Sequence, residues 1–190
     1  MGLARTLKAK NTSTGTFLCI DSSSKSLAFA IYEKKESARL ISAGKIIFPA
    51  DMSNRLKVIN GSVQAIFTAF PEINHVVIEQ TIYIQSPQTS RILSYVVGHI
   101  YGKCLEYCPD VRDVEVMKWK SHIGYKNVSK IEKTAWEKQF GTTEAKKIAA
   151  KERKERTGKI IKEKIKNIDH VEDYDIIDAI AIGLWAVNNV

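Results

Sequence analysis

Two short apolar runs that end on carboxylates limit the folds open to this chain more than any other feature. "TFLCID" (16–21) and "NHVVIE" (74–79) are rich in β-branched, aromatic and apolar residues at successive positions. Each therefore reads as a strand buried on both faces. Such strands belong to the interior of a sheet that helices cover from both sides. Asp21 and Glu79, the acids that end them, are costly in that setting unless a cation meets them.

The remaining segments fill in that sheet. "LAFAIYE" (27–33) and "ARLISAGKIIFP" (38–49) read as a second and third strand, joined by short polar turns into an antiparallel meander. "DMSNRLKVINGSVQAIFTAFP" (51–71) carries Leu56, Ile59, Val63, Ile66, Phe67 and Phe70 at helical spacing. Asp51 or Ser53 can cap that helix and Pro71 ends it. A long helix runs from Pro87 towards Pro109, "RDVEVM" (112–117) reads as a fifth strand, and "DYDIIDAIAIGLWAVNNV" as a closing helix with an apolar face. The stretch from about 120 to 170 is polar and helical. This order predicts an α/β fold with one mixed five-stranded sheet flanked by helices on both faces. No repeat or proline-rich linker divides residues 16–190, which read as one domain behind a flexible arm of residues 1–15.

Charge narrows the partners. The chain has 29 Lys and Arg against 21 Asp and Glu, a net +8. The excess gathers in "EAKKIAAKERKERTGKIIKEKIK" (144–166), which holds ten basic and four acidic residues. Such clustering is the footprint of a polyanion-binding surface, although the Glu–Lys spacing also suits a solvated helix face. No apolar run is long enough for a membrane span, and no apolar leader marks secretion. The first residues fit the M-G-x-x-x-[ST] acylation pattern, but a short match at a polar arm is weak ground for a lipid anchor. Three cysteines, Cys19, Cys104 and Cys108, fit free buried thiols in a reducing compartment, and a cytoplasmic location is expected.

The strand-end acids have company. In "EDYDIIDAIAIG", Asp175 and Asp178 stand three apart, on one face of a helix whose other positions are apolar. Asp173 and Glu172 compete with Asp175 for a place on that face. Taken singly, each acid has an ordinary role as a turn, edge or helix cap. Brought together, Asp21, Glu79, Asp175 and Asp178 would repel one another strongly and need a hard cation. An oxygen-only set suits Mg²⁺, with Mn²⁺ as a substitute. Two such ions, ~4 Å apart, are the usual apparatus for in-line displacement at a phosphodiester.

"CIDSSSKSLAFAIYE", "VVIEQ" and "DIIDAIAIGL" occur in that order over residues 16–187. Together they resemble the RuvC family of Holliday-junction resolvases, within the ribonuclease H-like superfamily. The resemblance implies that Asp21, Glu79, Asp175 and Asp178 are the catalytic metal ligands, holding two Mg²⁺ ions. It implies a homodimer that nicks two opposed strands of a four-way DNA junction. It also implies a dimer face on the helix after Glu79, which offers Ile92, Leu93, Val96, Val97, Ile100 and Leu105. Lys118 and Lys120 fall where family members set basic residues against the scissile phosphate, with Trp119 beneath them. Lys126 and Lys130 flank the turn at Gly124, and Lys146, Lys147 and Lys151 open the basic tract; all are expected to meet DNA.

The sequence also departs from the family. Ser22-Ser23 replaces the Pro-Gly that follows the first Asp in many relatives. Ile82 stands where bacterial members often carry a base-stacking Phe, with Tyr83 next to it as a displaced candidate. These departures, with the long basic tract, resemble a bacteriophage-type member with looser substrate choice. Three other readings compete. A non-catalytic junction-binding protein would have no use for four acids beside phosphate. An actin-like phosphotransferase would need a second lobe and glycine-rich phosphate loops. A ribonuclease acting on RNA–DNA hybrids is left open by the sequence.

Overall fold

The computed structural model describes residues 14–80 and 86–190. Five strands form one sheet: β1 (Gly15–Ser22), β2 (Ser26–Lys34), β3 (Ala38–Ile47), β4 (Ile73–Glu79) and β5 (Val111–Val114). Their order across the sheet is β3-β2-β1-β4-β5. β2 runs antiparallel to β1 and β3, while β1, β4 and β5 run parallel. The antiparallel meander is thus as the sequence predicts, and the two acid-ended strands are direct neighbours. The fifth strand is shorter than expected, because Val116 and Met117 already belong to a helix.

Helices lie on both faces. α1 (Met52–Ala69) and α2 (Pro87–Leu105) cover one face. There Leu18, Ile20, Leu27, Ile31, Val76 and Ile78 from the strands pack with Ile59, Val63, Val96 and Ile100. α3 (Val116–Ile123), α4 (Lys130–Phe140), α5 (Thr142–Lys164) and α6 (Tyr174–Asn189) make up the other side. Here Phe17, Cys19, Ala28, Ala30, Tyr32 and Val77 pack with Trp119, Ile161, Ile177, Ile180 and Val187. The alternation along β1 is therefore strict: odd-numbered residues face α6, even-numbered ones face α1 and α2.

Local chemistry sets the helix ends. Asp51 caps α1, accepting from the Asn54 backbone at 2.9 Å, so the first of the two predicted caps is used. Ser86 caps α2 with Pro87 in its first turn. Of the apolar residues expected on α2, Val96 and Ile100 turn into the core, whereas Leu105 is exposed together with Tyr95. α3 ends at Gly124, whose φ of 83° is the left-handed conformation that a residue without Cβ adopts freely. Cys19, Cys104 and Cys108 are all buried free thiols, and burial pushes the Cys104 thiol up to about 12. Among the described residues, no helix is long and apolar enough to cross a membrane.

α6 lies unusually close to the sheet. A Cβ built on Gly183 would stand 2.1 Å from the ring of Tyr32. That ring is fixed in place because its hydroxyl donates to the Ile180 carbonyl at 3.0 Å. Gly183→Ala therefore forces the helix and the ring apart, an overpacking effect of about 1–3 kcal/mol. The expected result is a melting temperature lower by several degrees in thermal denaturation; an unchanged value would mean that α6 has room to spare.

Candidate active site

Strand periodicity and register bring the first two acids together. Ile20 of β1 pairs with Ile78 of β4, and each is followed by its carboxylate. Asp21 and Glu79 therefore end adjacent parallel strands, at the spacing of one hydrogen-bonded neighbour. Both continue the rows of Cys19 and Val77 on the α6 face. α6 packs along that face with its N-terminal turn at the same end, and Asp178 joins them: the charges of Glu79, Asp178 and Asp175 all act on Asp21.

Burial and like charge dominate the titration. Desolvation, then Glu79, Asp178 and Asp175, hold Asp21 well above the usual carboxylate range. Desolvation also raises Glu79, against the lowering effect of Trp119 and Lys120. Asp178 is pushed up to about 7, chiefly by burial, with Glu79 and Asp175 adding to it and Lys120 and Lys154 opposing. Neither Asp21 nor Asp178 accepts a hydrogen bond among the described residues. Glu79 accepts one at 2.8 Å from the indole N–H of Trp119, which is fully buried.

Asp175 is placed differently. One of its oxygens lies 2.6 Å from Lys45 Nζ on β3, the other 4.0 Å from Lys154 Nζ on α5. Asp173 is the N-cap of α6, accepting from the backbone of Asp175 and Ile176, and it shares Lys45. Glu172 is exposed. Among the described residues, no three His, Cys, Asp or Glu side chains stand in metal-ligating geometry, the trio of Asp21, Glu79 and Asp178 included. The donor chemistry nonetheless fits a hard divalent cation: three half-buried carboxylates repel one another, with no thiol or imidazole among them.

The two lysines expected beside the acids are separated. Lys120 stands over the rings of Trp119 and Tyr125, at 5.0 and 5.3 Å, and lowers the titration of all three clustered acids. Lys118 instead pairs with Glu115 at 2.8 Å, on a surface shared with Trp185 and Asn189. Two residues along a helix are ~200° around its axis, so only one of the two can face the acids. Lys126 and Lys130 are exposed on the loop after Gly124 and at the start of α4. Lys146, Lys147 and Lys151 are exposed on α5; Lys147 pairs with Glu144 at 3.0 Å and Lys151 with Glu155 at 3.6 Å. Tyr83 and most of the N-terminal arm lie outside the described residues.

Sequence reasoning missed Lys45 and Lys154, and it missed the bond from Trp119 to Glu79. It also missed Arg156, which bridges Glu132 of α4 and Glu152 of α5 and so joins the two basic helices. The capping box at Ser129, helped by that contact, pulls Glu132 down to about 2. A cavity of about 830 Å³ lies against β3 and α6 and contains Asp173 but none of the three clustered acids.

A five-stranded sheet in which only β2 is antiparallel, with helices on both faces and the last of them packed along β1 and β2, has the ribonuclease H-like fold. No protein-family model matches the sequence, and no curated protein matches it. Solved structures do. Thermus thermophilus RuvC in complex with a Holliday junction substrate aligns with a TM-score of 0.66 at 13% identity, over 90% of this chain and 91% of that one. The yeast mitochondrial Holliday junction resolvase aligns with a TM-score of 0.53 at 12% identity, over 93% and 79%. The fowlpox virus resolvase, in complex with Holliday junction DNA, aligns with a TM-score of 0.51 at 16% identity, over 90% and 96%.

The raised acids carry a stability consequence. Asp178 titrates near 7 when folded and near its ordinary 3.8 when unfolded, so the folded state binds the proton more tightly. The stabilisation from protonation is complete below about 3.8 and lost as pH rises through about 7. In EDTA, Asp178→Asn should therefore raise the melting temperature most at pH 8, by roughly 1–3 kcal/mol of stability, with the gain shrinking steadily as pH falls from about 7 towards 3.8. A loss of stability at pH 8 would mean that the acids do not repel one another there.

Proposed function

We propose that this chain is a divalent-metal-dependent, structure-selective DNA endonuclease that resolves four-way junctions by paired nicks. The observation that carries the reading is the convergence of Asp21, Glu79 and Asp178, half-buried and mutually repelling, at the end of a ribonuclease H-like sheet. Neighbours in structure include resolvases solved with Holliday junction DNA, which supports the substrate class.

In this reading Asp21, Glu79 and Asp178 hold Mg²⁺, with Mn²⁺ as a substitute, and Asp175 completes a set for two ions. When bound, the ions supply Lewis-acid activation of water and charge neutralisation at the phosphodiester. Trp119 fixes the orientation of Glu79 through its indole N–H, as outer partners of metal ligands commonly do. Lys120 stands beside the acids and is placed to meet the scissile phosphate, its ammonium steadied by two aromatic rings. The exposed lysines of α4 and α5, including Lys130, Lys146, Lys147 and Lys151, track the DNA backbone with Lys126 from the loop between α3 and α4. The outer face of α2, with Tyr95 and Leu105 exposed, is the face offered to a second copy, and twofold symmetry would pair the nicks. The cytoplasm is the compartment proposed for this chemistry.

The deciding assay offers four-way junctions, forks, linear duplex and RNA–DNA hybrids together, with Mg²⁺, Mn²⁺ or EDTA. Metal-dependent paired cutting of the junction is expected. Asp21→Asn, Glu79→Gln and Asp178→Asn should each lower the cutting rate by roughly 10²–10⁴-fold while gel shifts show retained junction binding. Wild-type cutting by Glu79→Gln would remove the site assignment, and preference for the hybrid would replace the substrate.

A second measurement addresses the basic helix. Replacing Lys146, Lys147 and Lys151 with Gln should weaken binding to every DNA tested. The slope of log affinity against log salt should become shallower by about one for each phosphate that is no longer neutralised. An unchanged slope would leave those residues as a solvated helix face.

A further inference from the structure

Lys45 stands on β3 in the same cross-strand row as the candidate site. Asp21 of β1 pairs with Ala28 of β2, and Ala28 pairs with Lys45. Only an alanine separates acid from lysine along that row, on the face that α6 covers. The lysine reaches across to the start of α6, where its Nζ lies 2.6 Å from Asp175 Oδ2 and 2.9 and 3.2 Å from the two oxygens of Asp173.

These two acids differ in what else they do. Asp173 is tied down as a cap, since its Oδ1 accepts from two backbone N–H groups. Asp175 has no such duty. Its second oxygen faces Lys154 at 4.0 Å. The fourth acid is thus neutralised by ammonium groups from two flanking elements, while Asp21, Glu79 and Asp178 have no ion pair among the described residues. The quartet divides into three acids with no direct ion pair among the described residues and one already engaged.

We infer that Lys45 is a positioning residue that serves as a resident counter-cation: it holds Asp175 away from the other three acids in the metal-free protein and yields it when a divalent ion binds. The inference rests on the metal-site reading above. Ammonium and metal compete for one carboxylate, so the ion pair weakens the apparent affinity of the site for metal. Asp173 keeps Lys45 close after Asp175 has turned, so the lysine is ready to take Asp175 back when the ion leaves.

The test is calorimetric titration of the full-length chain with Mn²⁺ alone, without DNA or turnover. K45M is expected to bind Mn²⁺ roughly three- to tenfold more tightly than wild type, since it lacks the competing pair. K45R, which keeps the charge, is expected to stay near wild type. K45Q, polar but uncharged, repeats the comparison should K45M fold poorly. In a D175N background the gain should vanish, which separates competition for Asp175 from a general change in local field. Unchanged or weaker binding by both neutral variants overturns the inference, as does a gain that persists with D175N. Mn²⁺ heat in wild type without the gain removes only the role of Lys45. Absence of heat from every variant removes the metal site and this inference with it.

Discussion

Repulsion among three half-buried carboxylates is the constraint around which this molecule is arranged. Asp21, Glu79 and Asp178 are each raised by desolvation, and Asp21 and Asp178 further by the carboxylates beside them. No fold adopts such an arrangement for stability's sake. It persists because the backbone atoms carrying the acids are fixed by cores that lie elsewhere. β1 and β4 are buried on both faces over their preceding residues, and α6 is held by Ile177, Ile180, Ile182 and Val187. The close seat of α6 at Gly183 and the bond from Tyr32 to the Ile180 carbonyl anchor the same helix one to two turns further on. Strain of this kind, offset by packing at a distance, is typical of sites built to take up something charged.

The legible part of this design is the part written in period two and in short spacing. Apolar runs closed by Asp21 and Glu79 identify two central strands, and an i, i+3 pair marks α6. Those signals lead to the sheet, its helical layers and the acids that approach one another. The lysines are harder for a physical reason. Counted outward from the β2–β3 turn, where Glu33 faces Arg39 and Tyr32 faces Leu40, Ala28 would lie opposite Gly44 and Lys45 would turn to the wrong face. A register shift between Ile31 and Tyr32 moves the pairing by one residue and delivers Lys45 to the α6 face. Nothing in the composition of that strand announces the bulge.

Lys118 departs from expectation for the opposite reason. It and Lys120 can both face the acids only if the strand through "VEVM" continues, because residues two apart on a strand share a face. The segment turns helical at Val116, and on a helix residues two apart diverge. The indole between them then becomes informative: Trp119 points inward, buries completely and gives its only donor to Glu79. A tryptophan flanked by lysines reads in sequence as a platform for cations. It serves that role for Lys120 alone, and its larger task is to orient a carboxylate.

The charge distribution explains how an acidic centre can sit in a protein of net +8 that is suited to a polyanion. Lys45, Lys120 and Lys154 approach the acids from three separate elements, β3, α3 and α5. Beyond them the exposed faces of α4 and α5 carry a broad positive field. A polyanion would be drawn in over such a field and repelled at its centre unless cations intervened there. Under the proposed function, long-range attraction would rest on lysines spread over two helices, and the chemistry on cations taken up at the centre. On that reading, acid-to-amide changes at the centre would remove a local repulsion and leave the surrounding field untouched.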